Sequence, residues 1–170
     1  MKEISLSILF VLMLGGISFG QKFAFVDTDY VLSRIPTFKA AQEQLDKIST
    51  QYETELQEKF KEIEQLTKDY QVEKILLTDE MRKKREKEIG TLEQSAKELQ
   101  AKYFGRDGML FKKREELVKP IQDQVFNAVK EVANEGGYAV IFDSAGSANM
   151  LYTNPRYDKS DDVIKKLGYN

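Results

Sequence analysis

The hydrophobic positions of this chain follow two rhythms. Phe38, Ala41, Leu45, Ile48 and Tyr52 recur by alternate steps of three and four. Leu56, Phe60, Ile63, Leu66 and Tyr70 continue the series with small slips, and Ile89, Leu92, Ala96, Leu99 and Tyr103 restore it. A period near 3.5 keeps one apolar stripe against a partner helix, so these segments predict the seam of a coiled coil. The intervening positions are mostly Lys, Glu, Gln, Asp and Arg. The second rhythm lies at the two ends. Phe23 to Val26 and Tyr138 to Phe142 are short aromatic and β-branched runs, closed by Asp27 and Asp143, and predict strands.

Between those strands the chain is almost free of turn residues. Pro36 suits the first turn of a helix, where its missing N–H costs nothing. From there to Glu135 the breakers are Gly90, Gly105, Gly108 and Pro120. A single helix of that length would reach about 150 Å. Thr78 can cap a new helix, with Asp79 and Glu80 on its positive end. The expectation is therefore an antiparallel helical hairpin with its tip near Leu77 and arms over 36–76 and 79–134. From Tyr103 onward the apolar pattern doubles. Tyr103, Leu110 and Leu117 form one row, and Phe104, Phe111, Val118 and Val125 a second beside it. Two rows mean two buried contacts, so Phe104, Phe111, Val118 and Val125 are the predicted oligomer body. Pro120 predicts a bend between Gly105 and Pro120, with an outright break over Gly105–Gly108 left open.

Tyr30 to Ile35 predicts a helical turn. Beyond the helix stop at Gly136-Gly137, Met150 to Thr153 predicts another short strand and Ser160 opens a last short helix stopped by Gly168. Residues 1–20 read as a secretory signal. Lys2 is the basic start, Ile4 to Leu14 the apolar run, and Ser18 and Gly20 the small residues before a cut at Gln21. No other segment predicts a membrane span. The fold class expected is α+β, mostly α: a long antiparallel coiled-coil hairpin (36–135) projecting from a small β body built from both chain ends (21–35 and 136–170).

Composition narrows the chemistry. The 170 residues include no Cys, His or Trp. That removes thiol nucleophiles, His-based triads, ordinary zinc sites and disulfides. The 26 basic and 28 acidic residues leave a net charge of -2, which gives no bulk field for nucleic acid. Neither a catalytic centre, a metal site nor a cofactor is expected. Asp27, Asp29 and Asp143 sit at strand ends and read as caps and turn formers. The densest charge is Arg82, Lys83, Lys84 and Arg85, just past the proposed tip. It suits contact with an anionic surface or a client chain, or else a solvated face with local pairing.

The order of parts resembles the Skp/OmpH family of periplasmic chaperones. The resemblance is carried by the strand Phe23 to Asp27, the strand Tyr138 to Asp143 and the tail from Asn149 to Gly168. It implies a homotrimer, with a β body assembled from three chains and three hairpins around a cavity. It implies an ATP-independent holdase that keeps unfolded outer-membrane β-barrel proteins from aggregating in the periplasm. It also implies peripheral contact with anionic membrane or lipopolysaccharide. The family's best-known member is strongly basic, whereas this chain has a sequence pI near 5.4, so capture here would rest more on caging, avidity and weak apolar contact. The competing expectation is a structural or adaptor protein of the envelope that docks a partner through the hairpin tip, with Leu76, Leu77 and Met81 as its patch.

Overall fold

The computed structural model describes residues 21–146 and 150–169. The predicted signal segment lies outside the described residues. In chain order the elements are β1 (Lys22–Val26), α1 (Thr28–Ser33), α2 (Pro36–Glu73), α3 (Asp79–Phe104), α4 (Met109–Gly136), β2 (Tyr138–Asp143), a 3-10 turn (Pro155–Tyr157) and α5 (Ser160–Lys166). No helix among the described residues is long and apolar enough to cross a membrane.

Helix α2 has 38 residues and is about 57 Å long at the usual rise. The chain turns over residues 74–78, and α3 and α4 return along α2. The contacts show the antiparallel sense. Near the turn Tyr70 meets Glu86, while further down Glu55 meets Tyr103. Thr78 is the N-cap of α3, its hydroxyl accepting from the Met81 N–H, with Asp79 and Glu80 in the first turn.

The return helix is broken. Helix α3 ends at Phe104, Gly105 to Gly108 cross in extended and turn conformation, and α4 begins at Met109. A Cβ on Gly105 would lie 2.3 Å from the Ala101 carbonyl oxygen, so only glycine fits there. Pro120 lies inside α4, which is continuous through it. The interruption predicted somewhere between Gly105 and Pro120 is thus made by the glycines. Helix α4 stops at Gly137, whose φ of 64° is left-handed.

Along the hairpin shaft one residue per heptad is buried on each helix. These are Leu56, Ile63 and Tyr70 on α2, and Ile89, Ala96 and Tyr103 on α3. Leu66, Leu92 and Leu99 are half-buried. Two helices alone cover one narrow stripe, so the second row of the seam remains partly open.

The root is thicker. Val26, Val31, Leu32 and Ile35 from the N-terminal segment pack with Ala41 and Leu45 of α2, the Val118–Val132 face of α4, and Val163 and Ile164 of α5. Strands β1 and β2 pair in parallel, with Phe23 opposite Val140 and Val26 opposite Asp143. Parallel strands need a long crossover, and here the whole hairpin is that crossover. A single bridge joins Phe25 to Asp158 on the far edge of β1. The buried Ser160 clips α5 to the strand end: its hydroxyl accepts from the Asp27 N–H at 2.9 Å and donates to Asp158 at 2.6 Å.

One expected strand is absent. Met150 to Thr153 forms neither helix nor strand, with Leu151 99% exposed. The segment is β-prone, but propensity alone does not make a strand, and it pairs with no strand among the described residues.

Candidate functional site

The tip is built by local chemistry. The four predicted contact residues divide into two pairs. Arg82 is a structural staple: its Nε donates to the Leu77 carbonyl at 3.1 Å and its guanidinium lies 3.6 Å from Asp79. Arg85 bridges Glu73 on the opposite helix at 3.6 Å and Glu88 at 3.2 Å. Lys83 and Lys84 are exposed. An open groove of about 960 Å³ runs below the tip, floored by Leu66, Leu77, Met81 and Leu92 and edged by Lys84 and Lys87 on one side of its chemistry and Glu62, Glu73 and Glu88 on the other.

Two tyrosines lock the shaft. The Tyr70 hydroxyl donates to Glu86, and the Tyr103 hydroxyl donates to Glu55 at 2.6 Å. The Glu55 carboxylate, aided by burial, pushes the Tyr103 phenol up to about 12. The Tyr70 phenol is raised in the same sense, first by its hydrogen bond to Glu86. Tyr103 also stacks on Tyr52, ring centres 4.0 Å apart and nearly parallel. Phe104 stands edge-on to both rings. These contacts sit directly before the Gly105 break and hold its upper side.

At the root, the four predicted body residues also divide. Val118 and Val125 are buried in the protomer's own core, whereas Phe104 and Phe111 are 38% and 45% exposed. Other large apolar side chains are open nearby. Phe126 is 68% exposed, and Phe142 and Val140 of β2 are both 48% exposed. Phe126 and Phe142 edge a pocket of about 370 Å³ whose floor is Val26, Leu32, Val125, Val129 and Ile141. The sequence reading did not single out Phe126. Its position directly after Val125 puts it outside both apolar rows, which was the available signal that it faces outward.

The acids at the strand ends bond nearby backbone groups, and Asp143 also ties the end of β2 to Thr28, 115 residues away in sequence. Asp27 caps α1, accepting from the Tyr30 N–H at 2.9 Å. Asp143 accepts from the Thr28 hydroxyl at 2.8 Å and from the Thr28 and Ala145 N–H groups. Asp29 lies in the first turn of α1, on its positive end.

A family model described as outer membrane protein (OmpH-like) matches residues 22–167. An uncharacterized protein of Aquifex aeolicus (strain VF5) is 33% identical over 155 residues, covering 91% of each chain. In fold, the chain is similar to a protein of Caulobacter crescentus CB15 whose crystal structure is given as a candidate outer membrane chaperone (OmpH-like). The TM-score is 0.64 at 13% identity, over 87% of this chain and 84% of that one.

Proposed function

The chain belongs to the OmpH-like family, and on that premise we propose that it is an ATP-independent periplasmic chaperone that holds unfolded outer-membrane β-barrel proteins. The observation that carries this reading is the surface of the arm. A hairpin about 57 Å long presents mostly charged side chains, with Phe60 and Met109 46% and 38% exposed among them. Scattered apolar contacts on a solvated surface suit many weak, reversible contacts to an unfolded chain. They do not suit one tight site.

The reading extends to assembly. The body carries an exposed apolar face at Phe126, Val140 and Phe142, and among the described residues neither the outer edge of β2 nor the strand-prone segment at Leu151 and Tyr152 pairs with a further strand. Each is what a second copy would cover. In the proposed homotrimer the bodies join through these surfaces and the arms enclose a cavity for the client. Arg82, Lys83, Lys84 and Arg85 are the proposed contact with anionic lipid, lipopolysaccharide or client. The adaptor reading is favoured by one observation, the near-complete exposure of Ile75 and Leu76 at the tip.

Turbidity separates the two. Several unrelated barrels are diluted from urea into buffer with or without the chain from Gln21 to Asn170. A holdase suppresses aggregation of all of them at near-stoichiometric amounts without nucleotide. An adaptor leaves every one of them to precipitate, and that result would contradict the chaperone reading.

A further inference from the structure

The small sheet turns an apolar face to solvent, and the row of side chains on it begins at the predicted start of the exported chain. Side chains alternate along a strand. In β1, Ala24 and Val26 are buried, so Phe23 and Phe25 point the other way. Phe23 is in register with Val140, and Phe25 with Phe142. Phe23 stacks on Tyr157 with ring centres 5.4 Å apart, and the Phe25 and Phe142 rings lie 5.8 Å apart. Gln21 directly precedes β1, and the two-residue period puts it on the row of Phe23 and Phe25. It is exposed, and its side-chain amide makes no hydrogen bond among the described residues. The neighbouring Lys22 is engaged, its ammonium donating to the Gly136 carbonyl at 3.4 Å.

We infer that Gln21, made the N-terminus by the predicted cut after Gly20, is a modification site that closes to pyroglutamate. The neutral α-amine attacks its own side-chain Cδ. A C–N bond forms between them and the Cδ–Nε2 bond breaks. The amide nitrogen leaves as ammonia, carrying the proton that the α-amine gives up. Nothing is oxidised or reduced, and no co-reactant is consumed. Ordinary α-amino groups titrate at about pH 8, so part of the amine is neutral and nucleophilic near neutrality. Side-chain length selects the residue, because glutamine closes an unstrained five-membered lactam where asparagine would need a four-membered ring. The exposed, unbonded amide has no contact to give up before it folds back. The ring closes on the newly cut chain, before bodies join. It replaces an ammonium by a neutral group at the end of an apolar row. An unpaired charge is costly to bury and a neutral lactam far less so, so that end of the face can then be covered. This consequence rests on the homotrimer reading, whereas the modification rests on the cut alone.

The test starts from the chain purified from the cells that naturally make it. Intact mass spectrometry is expected to give the mass of Gln21–Asn170 less one ammonia. Edman degradation is expected to be blocked, and pyroglutamyl peptidase to open the chain to a sequence beginning at Lys22. Gln21→Asn, expressed with residues 1–20 in the same cells, keeps the amide and the free amine. It is expected to show its full mass and an open terminus. A full mass with an open Gln21 overturns the inference, and so does a chain cut elsewhere or not cut. Light scattering on serial dilutions then compares the two forms below pH 7, where the variant bears its ammonium. The variant is expected to dissociate at a concentration at least roughly threefold higher. Equal dissociation overturns the consequence drawn for assembly. Monomers in both forms contradict the homotrimer reading, while the mass still decides the modification.

Discussion

The shaft of the hairpin and its root solve the same problem differently. In the shaft, each helix buries one residue per heptad against the other, and the polar faces are already in water. Its backbone bonding is complete within one chain, although the second row of its seam stays partly open. The root has a deeper core, with Val31 and Val163 fully buried, yet it also leaves Phe126, Phe142 and Leu151 in solvent. Among the described residues its sheet has two strands, which would be marginal alone and here rest on the helical core through Ile141. A helix satisfies its own backbone hydrogen bonds. A strand always needs a neighbour. The shaft therefore needs no strand partner, while the root carries the exposed apolar surfaces through which the proposed trimer would join.

That contrast can be broken first at its deepest point. Ile35 is 1% exposed in the root core, and Ile35→Ala is expected to cost about 2–5 kcal/mol, read by urea unfolding. Gly105→Ala comes next, at about 1–3 kcal/mol, because its Cβ would meet the Ala101 carbonyl. If Gly105→Ala is neutral, the glycine break is not required by the packing around it.

Changes on the open root face should spare the protomer and act on assembly. Phe111→Asp and Phe142→Ser are expected to keep the helical circular dichroism signal and lower the mass by light scattering. Both side chains are nearly half exposed, so a loss of helicity at the protomer level would argue against the division drawn above.

The smallest effect is in the shaft and depends on pH. The Tyr103 phenol has its pKa raised from 10.0 to about 12 in the folded chain. Its stabilising bond is whole below pH 10 and is lost as pH rises from 10 to 12. Tyr103→Phe should make unfolding curves less sensitive to pH over that window. The remaining sensitivity comes from Tyr70 and from the ion-paired Lys113, Lys159 and Lys166, whose pKa values are also raised. Identical pH profiles for the two proteins would contradict the role given to the Glu55 bond.

What could be read in advance follows the same division. The seam period, the Thr78 cap, the turn by Leu77 and the strand ends at Asp27 and Asp143 are local, and the sequence pattern carried each of them. The Tyr103–Glu55 and Asp27–Ser160 bonds join residues far apart in the chain, and no local spacing announces them. Pro120 was expected to share in a bend, but glycine geometry at Gly105 placed the break instead. Met150 to Thr153 carried strand propensity without a strand, since propensity cannot supply a partner edge. At the tip, the run of cations was visible, but its split into stapled Arg82 and Arg85 and free Lys83 and Lys84 depends on geometry across the turn.

The most direct test is light scattering on a size column. The chain from Gln21 to Asn170 is run alone and then after dilution of a urea-unfolded outer-membrane barrel into it. The account predicts the mass of three chains, then the same mass plus one soluble client. A monomer, or a stable oligomer that elutes unchanged while the barrel precipitates, would contradict it.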